Sequence, residues 1–323
     1  DVGVVQETVF EKTTRQLVPD VMRGSNATCF AYGATGSGKT HTMMGSAELP
    51  GVIPQTADEL FDAIRQAQEE YAFTVKIQYV EIYNESIKDL LEPANNAALD
   101  VRESPKDGTV VANAATLCVS SRKELETLIH RGNLYRATES TNVNQVSSRS
   151  HAVLQLKVES RSRFENSKKV HVGKLSLIDL AGSERAKKTG NEGKRLVEGQ
   201  NINRSLLALA NCINALADQT KKSTAHVPFR ESKLTRLLKD SLGGHCKTVM
   251  ITNVSPASDQ FEETLNSLKY ANRAKNIATK EVTVTIKKPQ EMRDTLEMVR
   301  ELSEEMRASF SGNRGPKTRP TTR

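Results

Sequence analysis

Eight residues near the start of the chain constrain its fold more than any others: Gly33-Ala34-Thr35-Gly36-Ser37-Gly38-Lys39-Thr40. They match G-x-x-x-x-G-K-[ST], a loop whose backbone N–H groups wrap around polyphosphate. Its glycines allow the main chain to approach phosphate and to reach backbone angles that a Cβ forbids. In such a loop Lys39 faces the β- and γ-phosphates, and the Thr40 hydroxyl reaches Mg²⁺. Ala27-Thr28-Cys29-Phe30-Ala31-Tyr32 reads as the short buried strand that must feed the loop. A dinucleotide loop is excluded, because Gly36-Ser37-Gly38 would need a third glycine where His41 stands.

Periodicity places the rest of the chain around that loop. Thr8 to Met22 reads as a helix, as does Thr56 to Gln68 after Pro54, and Phe73 to Tyr83 alternates as a strand. Asn95 to Val111 is polar and turn-rich, a surface excursion with short strands. Ser121 with Glu124 forms a capping box for a helix carrying Leu125, Leu128, Ile129 and Leu134. Strands are expected at Ala152 to Ser160, Val170 to Asp179 and Thr248 to Val254. The clearest helix is Asn201 to Ala217, where Ile202, Leu206, Leu209, Ile213 and Leu216 fall on one face. Ser232 to Leu238 and Asp259 to Ile277 are further helices, and Lys280 to Ile286 alternates like an isolated strand. Strands alternating with helices behind a phosphate loop indicate an α/β fold, with helices on both faces of a mixed, mostly parallel sheet.

Composition sets the surroundings. No apolar run approaches the roughly 20 residues of a membrane span, so no membrane partner is expected. No signal peptide is expected at the start either. Cys29, Cys118, Cys212 and Cys246 stand far apart without a C-x-x-C pair, which predicts a reduced, intracellular protein lacking a zinc or iron–sulfur site. The net charge of +7 is unevenly spread: residues 185–195, 220–239 and 309–323 carry +4, +5 and +4, so the remainder nets −6. A mildly acidic body with basic segments predicts an acidic macromolecular partner, and on charge alone nucleic acid and an acidic protein surface both qualify.

Hydrolysis coupled to motion needs loops that sense the γ-phosphate. Asp179-Leu180-Ala181-Gly182 follows the apolar run Leu175 to Ile178 and has the D-x-x-G form: a strand-end carboxylate near Mg²⁺ and a glycine N–H for the γ-phosphate. Asn144-Gln145-Val146-Ser147-Ser148-Arg149-Ser150-His151 is dense in hydroxyls suited to Mg²⁺ and phosphate, and Arg149 is placed to latch onto Glu184.

These stretches resemble the phosphate loop and two switches of the kinesin motor domain, the second switch reading Asp179-Leu180-Ala181-Gly182-Ser183-Glu184. So do Tyr83-Asn84-Glu85 with Asp89-Leu90-Leu91, Val227 to Thr235, and Tyr270 to Lys275. The likeness runs from about residue 6 to 277 and leans toward the kinesin-8 class through Ser150 to Gln155, Ser205 to Leu216 and Arg236 to Gly244. It implies a P-loop NTPase of kinesin type that hydrolyses ATP with Mg²⁺ and binds microtubules rather than nucleic acid, in the cytoplasm on the microtubule cytoskeleton, with spindle or cilium as settings.

By that resemblance the nucleotide-binding residues are Gly33, Ala34, Thr35, Gly36, Ser37, Gly38, Lys39, Thr40 and His41, the last beside the adenine. Thr40, Ser148 and Asp179 lie at Mg²⁺. Gly182 senses the γ-phosphate, Ser147 and Glu184 position the attacking water, and Arg149–Glu184 closes when ATP is bound. Lys187, Lys188, Lys194, Arg195, Lys221, Lys222, Arg230, Lys233 and Arg236 face the microtubule. Residues 1–277 form the motor domain, 278–288 a neck linker, 289–309 a neck helix able to start a homodimer in a longer protein, and 310–323 a disordered basic tail. A neck after the motor core resembles plus-end-directed members. Two departures stand out: no Asn latch near Val284, and no first strand with an adenine-stacking motif, as though the motor were incomplete at its N-terminus. Other readings are an end-depolymerase, a nucleotide-locked tubulin-binding module and a nucleic-acid-dependent ATPase.

Overall fold

The computed structural model describes residues 5–95, 97–104, 108–142, 148–164, 169–184, 194–217, 226–243, 246–277 and 285–287. In chain order its helices are α1 (Gln6–Lys12), α2 (Leu17–Met22), α3 (Lys39–Met44), α4 (Val52–Ala67), α5 (Arg122–Asn142), α6 (Lys194–Ala217), α7 (Lys233–Leu237), α8 (Lys239–Leu242) and α9 (Phe261–Ala274). Its strands are β1 (Ala27–Tyr32), β2 (Tyr71–Tyr83), β3 (Ser86–Asp89), β4 (Asp100–Ser104), β5 (Gly108–Ala112), β6 (Leu117–Val119), β7 (His151–Ser162), β8 (Lys169–Asp179), β9 (Lys247–Thr252) and β10 (Thr285–Lys287).

The central sheet runs β3-β2-β7-β8-β1-β9, with β6 also on β2 and β10 also on β8; β4 and β5 form a separate hairpin. Strand β1 is buried along its whole length because it lies inside the sheet with both faces covered, which is why it reads as an unbroken apolar run. On one face Leu17, Val18, Val21, Leu60, Leu125 and Ile129 pack on the sheet; on the other, Leu206, Leu209, Ile213, Leu234, Leu237 and Leu242 do so. Each such side chain contributes about 1.5–3 kcal/mol by leaving water, so helices on both faces are needed to cover the sheet.

The sheet is mixed, as expected, but it is not mostly parallel among the described strands. Only the β1–β8 and β1–β9 pairs are parallel; the β2 pairs, β7–β8 and β10–β8 are antiparallel. Parallel pairing needs a crossover of a dozen or more residues, whereas β7 and β8 follow each other across a short connection.

Other expectations shift for local reasons. The single helix expected over Thr8 to Met22 is two, α1 and α2, because a continuous helix would drive Pro19 into the carbonyl four residues back; in the first turn of α2 it is tolerated. Helix α6 begins at Lys194, seven residues before Asn201, since Gly199 and the asparagines mask a helix that nonetheless forms. Leu134, expected on the apolar face of α5, is 55% exposed. The last strand is not isolated: within Lys280 to Ile286 the described part, Thr285 and Ile286, lies in β10 and pairs with β8 at His171 and Val170. The segments expected as neck helix and tail lie outside the described residues.

Candidate functional site

Three parallel strands end side by side and build the site. The β1–β8 register sets Ala31 beside Asp179, and the β1–β9 register sets Tyr32 beside Thr252. Chains leaving a parallel sheet at one edge form a crevice there. Into it run Gly33 to Gly38 after β1, the D-L-A-G loop after β8 and Asn253 after β9. Asn253 N–H donates to the Tyr32 carbonyl at 2.8 Å, and its side chain donates to Thr42 Oγ1 at 2.8 Å. A Cβ on Gly33 would stand 2.2 Å from the Asn253 carbonyl oxygen, so this glycine is required by close approach. Asn253 bore no sequence motif; only the strand order brings it here.

Gly36 and Gly38 take the left-handed conformation, at φ 80° and 92°, and Gly38 caps α3. Lys39 is buried and donates from Nζ to the carbonyls of Gly33 (2.9 Å) and Ala34 (2.8 Å), wrapping the loop around its own ammonium. Burial lowers its pKa, an effect opposed by Asp179 and Glu184. Thr40 Oγ1 donates to Asp179 Oδ2 at 2.8 Å. The other oxygen, Asp179 Oδ1, is buried and makes no hydrogen bond, as does Ser37 Oγ. A hydroxyl against a buried carboxylate with an unused oxygen is a donor set that suits Mg²⁺, a hard cation that takes few protein ligands beside phosphate and water. Among the described residues no cluster of three or more His, Cys, Asp or Glu could hold a metal alone.

Asp179 is also tied to a residue without a sequence motif. Arg136, 7% exposed, reaches Asp179 Oδ2 (3.3 Å) and Glu81 Oε1 (3.4 Å), and its NH2 donates to the Ser150 carbonyl at 3.1 Å. One guanidinium between two buried carboxylates keeps both in partnership. It was illegible because α5, β2 and β8 contribute one group each.

The two expected switches touch each other and the phosphate loop. Gly182 N–H donates to the Ser148 carbonyl at 2.9 Å, and Ser183 N–H donates to the Gly33 carbonyl at 3.1 Å. The Glu184 carboxylate accepts from Thr35 N–H at 2.8 Å and from the Thr35 hydroxyl, so without nucleotide it grips the phosphate loop. A Cβ on Gly182 would stand 2.1 Å from Thr35 Oγ1 and 2.4 Å from Glu184 Oε2, which explains the glycine physically. Ser147 lies outside the described residues. His41, expected beside an adenine, has Gln6 Nε2 3.1 Å from its Nδ1 and donating to its carbonyl at 2.6 Å.

Of the basic residues, Arg230 is exposed on a short 3₁₀ turn, and Lys233 and Arg236 follow on α7. Lys233 and Arg236 share Asp100 of the β4–β5 hairpin, at 3.1 Å and 3.5 Å. Only the backbone is described for Lys194 and Arg195, in the first turn of α6. Lys187, Lys188, Lys221 and Lys222 lie outside the described residues. Two motif stretches prove to be one contact: Glu85 accepts from Ser232 Oγ and Lys233 N–H, both at 2.7 Å, capping α7 from the turn after β2.

Comparison with known proteins fits this geometry. The kinesin motor domain family matches residues 1–277. The kinesin-like protein KIF19 of Homo sapiens is 51% identical over 281 residues, covering 87% of this chain and 28% of that protein. KIP3 of Saccharomyces cerevisiae is 50% identical, covering 85% and 34%. These relatives are of the kinesin-8 class, and the chain spans about a third of their length or less. A solved structure of a fast kinesin superimposes with a TM-score of 0.80 at 41% identity, covering 89% of this chain and 81% of that one. The KIF14 dimer in complex with a microtubule and AMP-PNP gives 0.77 at 40% identity, covering 86% and 79%. The crevice, its two touching loops and this likeness along most of its length place the chain in the kinesin motor domain family, with kinesin-8 relatives.

Proposed function

We propose that this chain is a microtubule-stimulated, Mg²⁺-dependent ATPase motor acting on cytoskeletal microtubules. The observation that carries the reading is the junction of three loops: Gly182 on Ser148, Ser183 on Gly33, and Thr40 on Asp179. A ligand in the phosphate loop would be felt by both other loops without further contacts. In this reading Lys39 balances phosphate charge, Thr40, Ser148 and Asp179 hold the metal, and Gly182 N–H exchanges Ser148 for a γ-phosphate oxygen. Mg²⁺, when bound, supplies charge neutralisation between the β- and γ-phosphates. Glu184 and Ser147 position the attacking water, and the catalysis is positional and electrostatic rather than dependent on a strong base. For the Arg149–Glu184 latch to form, Glu184 must leave Thr35.

The basic residues Arg230, Lys233 and Arg236, with Lys187, Lys188, Lys194, Arg195, Lys221 and Lys222, form the tubulin-facing set. Residues 278–288 act as the neck linker, and the β10–β8 pairing supports its docking as an added strand. A linker placed after the core supports plus-end direction, and residues 289–309 offer a route to a dimer in a longer protein.

The test is steady-state ATP turnover with and without microtubules over a salt series. Stimulation is expected, with microtubule affinity falling steeply as salt rises, because the contacts are exposed charges. Absent stimulation, or affinity indifferent to salt, overturns the reading. Turnover on free tubulin compared with the lattice separates a walking motor from an end-depolymerase.

A further inference from the structure

His151 begins β7 opposite Ile82 and is 2% exposed. Neither ring nitrogen faces solvent or the phosphate loop. Nδ1 lies 3.0 Å from the backbone N of Ala181, in the middle of the D-L-A-G loop. Nε2 lies 2.8 Å from Oγ of Ser205, itself 3% exposed on α6. An amide N–H can only donate, so Nδ1 carries no proton; in a neutral ring the proton is then on Nε2 and donates to Ser205. One tautomer of one side chain therefore spans the two elements.

The position of those partners argues for more than packing. Ala181 N–H is the neighbour of Gly182 N–H, which is held by the Ser148 carbonyl. A peptide shift that turns Gly182 toward another acceptor moves Ala181 N–H relative to Nδ1. The ring is buried at the start of β7, so it must follow or lose the bond. At its other end Ser205 lies on a single helical rod of 24 residues, about 36 Å long. Leu206, Leu209 and Ile213 pack that rod on the sheet face that also holds Ile178, Leu180 and Ala181.

We propose that His151 is a positioning residue that couples the D-L-A-G loop to helix α6, accepting from Ala181 at Nδ1 and donating to Ser205 from Nε2. The proposal rests on the ATPase reading above and adds the physical link between phosphate sensing and the long helix.

Two measurements on the whole chain test it. Histidine-selective ¹⁵N labelling reads the ring directly: one of the six histidines is expected as the neutral Nε2–H form, absent from the His151→Asn spectrum. A His151 ring protonated on Nδ1 overturns the proposal whatever the turnover. The second is turnover in Ser205→Ala, Ser205→Thr, His151→Asn and the double variant. Ser205→Ala is expected to lower microtubule stimulation about tenfold with the ATP KM within about twofold, and Ser205→Thr, which keeps the hydroxyl, to stay within about threefold of the parent. Adding Ser205→Ala to His151→Asn is expected to cost nothing further. Equal loss in the Ala and Thr variants, or losses that multiply, overturns the coupling. Should His151→Asn fail to fold, His151→Gln assigns the ring signal in its place, and the Ser205 pair still decides. A parent chain that microtubules do not stimulate rejects the proposed function instead, and the ring spectrum then decides this proposal by itself.

Discussion

Acidifying the solution gives a quantitative test of the buried His151 ring. Burial, with Arg136 and Lys39 nearby, pushes its pKa down from 6.5 to about 3. In the folded protein the ring therefore stays neutral across the range in which an unfolded chain takes up a proton. Below pH 6.5 the unfolded state binds more protons, so stability falls as pH falls, and the loss continues toward pH 3. Integrating those two values between about pH 7.5 and about pH 5 gives a loss of about 2 kcal/mol from this residue alone. Other groups titrate over the same interval, but they are common to the parent and to His151→Gln. The measurement is urea unfolding of both proteins at the two pH values without nucleotide. The parent is expected to lose about 2 kcal/mol more than the variant on acidification. Equal losses would mean that the ring titrates normally when folded, and the burial and hydrogen bonding assigned to it would be wrong.

The remaining predictions concern the crevice. Glu184→Ala is expected to bind ATP and microtubules but to lose turnover by about 10²-fold or more, measured as kcat; near-normal stimulated turnover would sink the role given to Glu184. Arg136→Ala strands two buried carboxylates, Glu81 and Asp179, and is expected to destabilise by about 3–5 kcal/mol in chemical unfolding. A stability change near zero would mean that this guanidinium does not compensate them. Gly33→Ala places a Cβ 2.2 Å from the Asn253 carbonyl, so nucleotide binding followed by a fluorescent ATP analogue is expected to fall sharply. Unaltered binding would show that the β1 and β9 ends can separate without penalty.

Much of the site was legible because its chemistry is local. A phosphate loop needs its glycines and lysine within eight residues, and D-L-A-G needs its carboxylate and glycine within four, so short-range spacing reveals both. What escaped were groups whose partners lie far along the chain. Arg136 pairs with Glu81 and Asp179, 55 and 43 positions away. Asn253 braces Thr42 across 211 positions. His151 was read only as the end of a serine-rich stretch, and nothing local distinguishes a histidine that bridges two elements from one that fills a core. For Glu184 the sequence suggested Arg149 as its partner in the ATP-bound state, whereas its hold on the amide and hydroxyl of Thr35 is visible only in the fold.

By itself the sequence determined the elements and the ligand chemistry. Alternation marks β2, the repeat of Leu206, Leu209 and Ile213 marks α6, and Gly33 to Thr40 prescribes a phosphate cradle, because these depend on backbone geometry and side-chain period over a few residues. Tertiary structure alone decided which strands pair in parallel, and hence that the ends of β1, β8 and β9 meet. That register sets Asp179 beside Thr40, and the packing of α6 on the same sheet brings Ser205 to His151. Such contacts depend on which distant segments bury their apolar faces together, a choice made by the whole core and by no single stretch of chain.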